Sequence, residues 1–434
     1  MNNGGENRVL YNIVSPYGLA IISYASFLLS VLIPPSFYTQ HMHEPDLVFL
    51  DPMSITFYTL CVCGFLAGLY LIEWLYAPIP CIERVYRLKA NPALFLLLPL
   101  SAGVLLSLIS SVLLIRQNPL LIAMLVAQQG TALRNDAGIE IEGTLNSSVL
   151  FLTGVIWWAL WRSYQFGVEG QSRRIVKFGL VLAVMAVFVS SSLNISRHAL
   201  MVVTTGLAIS YLLRKAFLRQ LNWRLVGKTV LTFVIGGVFF FSLVLLLRGG
   251  LGGAGKQFDM FLGYTVASYN RLAALLQGRL HYEYSGRGIY LSNFISFSKI
   301  FNHIIPFGRV MNVPNYLDWW GAEFSSVGIA GLDASMIFCG AFGEIFTDIG
   351  WFAPIYLVGY GVLYGLVWRW VKEGRMAGIL LYPYFAYCIL FWFTTNGLFD
   401  QDIVALIIVA IILSAYEVLF VRQCKHLVEV PQKG

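Results

Sequence analysis

Thr229 to Leu247 reads TVLTFVIGGVFFFSLVLLL, an apolar run with no charged residue in it, closed at its two ends by Lys228 and Arg248. A hydrocarbon layer about 30 Å thick needs roughly 20 apolar residues of helix, and a backbone in lipid must satisfy its own hydrogen bonds. The run therefore predicts a membrane-spanning helix. Comparable runs lie at 14–34, 54–75, 93–115, 148–165, 176–195, 198–213, 350–371, 377–395 and 403–421. The expected fold class is an all-α polytopic membrane protein with about ten transmembrane helices. A chain that is 58% hydrophobic and 12% charged keeps no polar block long enough to fold as a separate soluble domain.

The charges between the runs orient them, because Lys and Arg collect in short cytoplasmic loops. Arg8 precedes the first run, and Arg84, Arg87 and Lys89 follow the second. Arg162, Arg173, Arg174 and Lys177 flank the end of the fourth, and Arg214, Lys215, Arg219, Arg224 and Lys228 follow the sixth. Arg369, Lys372 and Arg375 follow the eighth, and Arg422, Lys425 and Lys433 close the chain. The short loops of the other face hold only Arg116, Arg134 and Arg197. Both termini are therefore expected in the cytoplasm, and the net charge of +7 follows from basic loops beside anionic lipid, with no nucleic-acid partner. The first run has a polar start and no small-residue exit, which predicts a retained helix.

Cys61, Cys63 and Cys388 fall in runs, Cys81 and Cys424 on the basic side and Cys339 opposite, so neither a disulfide framework nor a CxxC metal site is expected. Asn146 and Asn194 begin formal glycosylation sequons. Ionisable residues are scarce inside the runs; Glu73 and Glu417 lie near cytoplasmic ends, where they are expected to reach water. No mid-membrane charge and no repeated half points to an ion-coupled transporter.

The asymmetry concentrates in residues 248–349, an outer region between the helices of 1–247 and those of 350–434. Loops of this length carry their own structure. In 258–278, Phe258, Leu262, Val266, Tyr269, Leu272 and Leu276 share a helical face, with Tyr264, Asn270 and Arg271 between them. In 294–305, Phe294, Phe297, Phe301 and Ile304 do the same. Both stretches are expected to lie low on the outer surface, against lipid or against the bundle.

Asn315 to Glu323 gathers Tyr316, Asp318, Trp319, Trp320 and Glu323. Aromatic faces with carboxylate acceptors suit sugar rings, while Trp and Tyr also collect at membrane interfaces for unrelated reasons. Arg134, Arg197 and Arg248 stand at outer mouths of helices, against the charge rule. Guanidinium clamps phosphate in two-pronged fashion, so the set suggests an anion held at the outer interface, alongside pairing with nearby acids such as Asp136, Glu140 and Glu142.

The layout, the outer arginines and the run Phe342-Gly343-Glu344-Ile345-Phe346-Thr347-Asp348-Ile349-Gly350, with Gly359 and Gly365 in the next helix, resemble the bacterial O-antigen polymerases of the Wzy type. The resemblance covers most of the chain as a layout. It departs from the family at Phe346-Thr347 and Ile349, where many relatives carry Tyr before an Asp-aromatic-Gly turn. It implies a GT-C-like glycosyltransferase of the inner membrane. Such an enzyme transfers a growing glycan from undecaprenyl diphosphate to the nonreducing end of a new undecaprenyl-diphosphate-linked repeat unit, with membrane lipid around it and a chain-length regulator as an implied partner. An O-antigen ligase acting on lipid A-core and a lipid-linked oligosaccharide flippase are the alternatives.

Under this reading Arg134, Arg197 and Arg248 hold the leaving diphosphate. Glu344 and Asp348, four residues apart, are candidate bases with His303, while Tyr264, Arg271, Tyr316, Asp318, Trp319, Trp320 and Glu323 are candidate glycan contacts. His281, and His198 beside Arg197, are further histidines of the outer face. No DxD-like acid pair beside a basic partner stands out in an outer loop, so no metal and no cofactor is expected.

Overall fold

A computed structural model describes residues 11–48, 51–76, 82–88, 91–127, 142–166, 168–193, 198–218, 220–247, 259, 262–263, 265–297, 310 and 312–429. Each of the ten apolar runs contains a helix. In chain order the elements are α1 (Pro16–Val31), α2 (Pro35–Met42), α3 (Pro52–Leu75), β1 (Ile82–Leu88), α4 (Pro92–Gln117), α5 (Leu121–Val126) and α6 (Glu142–Gln165). Then come α7 (Gly170–Leu193), α8 (His198–Phe217), α9 (Trp223–Leu247), α10 (Ala267–Leu276), α11 (Ile289–Ser296) and α12 (Tyr316–Ile329). The chain continues through α13 (Gly340–Ile349), α14 (Ala353–Lys372), α15 (Met376–Leu390), α16 (Gln401–Phe420) and β2 (Val421–Glu429).

Among the described residues six helices are long and apolar enough to cross a membrane, one of them formed by α13 and α14 together; α1 and α2, bent by 93°, add a seventh if taken as one. The protein is an α-helical, multi-pass membrane protein by these features. The first run differs from the continuous span expected over 14–34. Pro34 and Pro35 interrupt it, since a residue before proline is pushed out of helical geometry, and the chain restarts at a steep angle with proline in the first turn of α2. The ninth run is also shorter than expected: α15 stops at Leu390, fifteen residues from its start. Its continuation is a set of tight turns, in which Trp392 and Thr394 lend their carbonyls to the first N–H groups of α13, from Ala341 at 2.7 Å and Gly340 at 3.1 Å. Those donors have no partner inside their own helix. Gly340 sits there at a φ of +76°, in the left-handed region that suits glycine.

The chain is not wholly helical. β1 and β2 pair antiparallel, from Ile82 opposite Glu429 to Leu88 opposite Val421, with an irregularity at Arg84–Tyr86. The loop after α3 and the tail after α16 are thereby joined at one end of the bundle. Other contacts join the same end. Tyr17 donates to Glu73 at 3.1 Å, Lys372 lies 3.5 Å from Glu73, and Tyr11 packs on Trp368 with ring centres 5.2 Å apart. Here too Arg162 grips Glu417, with Nε to Oε1 at 2.6 Å and Nη2 to Oε2 at 2.7 Å, while Trp158 donates to Oε1 at 2.7 Å. Glu417 is thus 9% exposed and paired inside the bundle, not reaching water as its place near a helix end suggested. An unpaired buried carboxylate would be costly, and Arg162 is the compensating charge.

α3 and α14 run side by side through glycines. A methyl group at Gly64 or Gly68 would collide with the backbone of Pro354 or Val358, and one at Gly361 with the carbonyl of Phe65. Small residues four apart on each helix let the two backbones meet, the usual route to close packing where lipid offers no hydrophobic drive between helices. Ser107 and Ser111 of α4 share the hydroxyl of Ser190 in α7 at 2.7 and 2.9 Å. Outward, Leu105, Ile109 and Val112 of α4, Phe178 and Val181 of α7 and Val234 and Phe239 of α9 are exposed, as a lipid-facing surface requires.

The region 248–349 does not stand apart. Its Tyr269, Leu272, Val327, Phe342 and Ile345 belong to the same hydrophobic cluster as Phe27, Phe57 and Trp392 of the helices around it. Every residue of α10 is buried, so this helix is an interior element and does not lie on the membrane surface with one face open. Of 258–266, Asp259, Leu262, Gly263, Thr265 and Val266 enter the description, and of the run expected over 294–305 only Phe294 to Phe297 does.

Candidate functional site at the loop end of the bundle

α10 carries the strongest polar anchor of this end. Arg271, with no exposed surface, donates Nη1 to Glu44 Oε1 at 2.8 Å and to the Ala267 carbonyl at 2.9 Å, Nη2 to Glu44 Oε2 at 3.1 Å and to the Asp333 carbonyl at 2.9 Å, and Nε to the Met336 carbonyl. Glu44 also accepts from Tyr38 at 2.7 Å and from the Asp333 N–H at 3.0 Å, and Asn270 accepts from the Leu47 N–H at 2.6 Å. The guanidinium is used up holding three segments together. Arg271 is therefore an interior brace, and the glycan contact expected of it has no open donor face here.

α13 presents the two acids singled out in the sequence. Asp348 accepts from the N–H groups of Gly288 and Leu291, each at 3.0 Å, which satisfies donors in the first turn of α11. Glu344 accepts from the Asn396 N–H at 2.6 Å, and Tyr360 donates to the Asn396 side chain at 2.8 Å. Glu323 of α12 comes up beside them. It is 5% exposed and bonded to the Tyr290 hydroxyl. Burial pushes its carboxyl up to about 8, the nearby Asp348 charge adding to the rise and the Tyr290 hydrogen bond opposing it.

The period of α12 explains why Glu323 faces inward. Trp319, Glu323, Ser326 and Val327 are buried on one side of the helix, whereas Asp318 is exposed and shares the helix start with Asn315, whose side chain accepts from the Asp318 N–H at 2.9 Å. Trp319 packs with Ile289 and Tyr290 in a small cluster bordered by Tyr316, Trp320 and Phe297. Tyr316 and Trp320 stack with ring centres 5.9 Å apart, and Trp319 meets Tyr290 at 5.7 Å. Tyr290 thus touches both the aromatic cluster and the acids. Trp320 and Tyr316 stay partly exposed.

Of the expected site residues, Glu323, Glu344 and Asp348 converge and the aromatic set adjoins them, while Asp318 points away. Arg134, Arg197, Arg248, His303 and Tyr264 lie outside the described residues. Comparison with protein-family models, curated proteins and solved structures finds no match.

Several polar residues at this end carry no sequence-level expectation. Tyr290 and Asn396 are tied in only by tertiary contact. A further group lies where α8 and α16 begin: His198 Nε2 is 2.6 Å from Asp402 Oδ2, and His198 Nδ1 is 3.1 Å from the Tyr387 hydroxyl. Asp400 completes it. The signal was present as Asp400-Gln401-Asp402, an acid pair at the start of α16, but its histidine neighbour is far away in sequence. His198, Asp400 and Asp402 thus lie together although about 200 residues separate the histidine from the acids.

Proposed function

We propose that this protein is a glycosyltransferase of the bacterial inner membrane that polymerises lipid-linked oligosaccharide repeat units. The growing glycan moves from undecaprenyl diphosphate to the nonreducing-end hydroxyl of a new lipid-linked unit, at the periplasmic face, with both termini in the cytoplasm and about ten crossings. The observation that carries the reading is the convergence of Glu323, Glu344 and Asp348 beside the Tyr316, Trp319 and Trp320 rings at the end of the bundle opposite the basic loops.

In the reaction a sugar hydroxyl attacks the anomeric carbon, its proton passes to a base, and the bond to the diphosphate oxygen breaks. Glu344 is the proposed base. Both oxygens of Asp348 hold backbone N–H groups of α11, which suits a positioning residue, whereas the one contact described for Glu344 is to Asn396. Arg134, Arg197 and Arg248 are proposed to hold the departing diphosphate, and the exposed edges of Tyr316 and Trp320 to meet sugar faces.

Purified protein supplied with lipid-linked repeat units tests the reading. Wild type is expected to build polymer. Glu344→Gln, which keeps size but removes the base, is expected to lower the rate by about 10²–10⁴-fold while the substrate still binds. Normal polymer from Glu344→Gln removes the base assignment, and absence of polymer from folded wild type removes the polymerase. In cells, loss of the gene is expected to leave one repeat unit on lipid A-core; no unit at all would identify a ligase instead.

A further inference from the structure

His198 opens α8, Asp402 lies in the first turn of α16, and Asp400 sits in the turn just before it. One nitrogen or oxygen from each of the three falls within 4.8 Å of the other two. At 2.6 Å, His198 Nε2 and Asp402 Oδ2 are joined through a hydrogen-bonded proton, whose place a metal ion can take. A single proton leaves this group of two carboxylates with a negative charge; a divalent cation neutralises it. A cation about 2.1 Å from each ligand places neighbouring ligand atoms roughly 3.0–3.4 Å apart and opposed ones ~4.2 Å apart, so the His198–Asp402 pair would open by about 0.4–0.8 Å to admit one, with Asp400 already within 4.8 Å of both.

The surroundings are built to hold these side chains. Tyr387 can accept the Nδ1 proton of His198, which turns the Nε2 lone pair toward the carboxylates, as in metal sites where the second ring nitrogen is tied by an outer partner. The turn bearing Asp400 is pinned by Tyr384, whose hydroxyl donates to the Gly397 carbonyl at 2.6 Å, and by Asn396 between Glu344 and Tyr360. His198 keeps 39% of its side chain exposed and Asp402 12%, so the group is open on one side only.

We propose that His198, Asp400 and Asp402 form a binding site for a divalent cation of the Zn2+ or Mn2+ class. One imidazole with two carboxylates suits those ions, and three protein ligands leave positions for water or for an anionic oxygen. Under the polymerase reading that oxygen is a phosphate oxygen of the lipid-linked substrate; the binding itself does not depend on that reading.

The test measures metal without turnover. Full-length protein in lipid nanodiscs is stripped with chelator and titrated with Mn2+, followed by electron paramagnetic resonance, and then challenged with Zn2+. Wild type is expected to take up one Mn2+ per chain, displaced by Zn2+. Asp402→Asn and Asp400→Asn are each expected to weaken binding more than about tenfold, and Tyr387→Phe by about tenfold through lost orientation of the imidazole. Asp400→Asn leaves the His198–Asp402 pair in place, so it reports on the site even where Asp402→Asn disturbs folding. No uptake of Mn2+ or Zn2+ by wild type up to about 1 mM, or equal uptake by Asp400→Asn, overturns the proposal and leaves a proton-bridged ion pair. Because no polymer is measured, loss of the polymerase reading would leave this result standing.

Discussion

Glu323 shows how one side chain can carry a pH signal. Its carboxyl titrates near 8 in the folded protein, against an ordinary value of 4.5. The raised value means that the folded state holds a proton that the unfolded chain has released. Its stabilising effect is complete below about 4.5 and is lost as pH climbs through about 8. Glu323→Gln is neutral throughout, so its melting temperature in detergent is expected to fall less between about pH 5 and pH 8.5 than that of wild type. Parallel pH profiles for the two proteins would contradict the buried, protonated acid. The sequence singled out Glu323 as a carboxylate beside two tryptophans and a tyrosine. It could not show Tyr290 as the partner, nor that Arg271 would be spent on Glu44, since such pairs are set by tertiary packing and not by spacing. Arg162 was legible only as a basic residue on one face; its grip on Glu417 joins helices distant in the chain.

At the scale of elements, the apolar runs were legible because a helix in lipid must be long and charge-free. The breaks were legible less well. The Pro34-Pro35 pair was a readable stop, whereas the end of α15 is dictated by the need of α13 for carbonyl partners, a requirement that no local pattern encodes. β1 and β2 looked like basic loops because their alternation is masked by their Arg and Lys residues. The glycine seam between α3 and α14 makes the clearest prediction. Gly361→Leu would drive its side chain into the Phe65 carbonyl and force the two helices apart. Thermal unfolding in detergent is expected to show a loss of about 2–4 kcal/mol, while Gly359→Leu, where an added Cβ meets nothing within 4 Å, is expected to be near neutral. Equal effects at the two positions would remove the seam from the account of stability.

For the whole molecule, the charge pattern and the contacts agree on which loops share an end: the start of α1, the ends of α3, α8, α14 and α16, and both strands gather together. The acids and His198 gather at the other. If the basic end is cytoplasmic, Ser335→Cys, exposed at the acid end, is expected to react with an impermeant maleimide in intact cells, and Gln220→Cys, exposed at the basic end, only after lysis. The reverse pattern would invert the topology and the proposed site with it. The ribbon at the basic end has a temporal side. β1 leaves the ribosome early and its partner strand is the last described element of the chain. At about 5–20 residues per second, β1 waits on the order of tens of seconds with an unpaired edge. Emergence of β2, and not the insertion of any one helix, is the event that closes this pairing, and a chain cut short after α16 would be left with an open strand for chaperones or proteases to find.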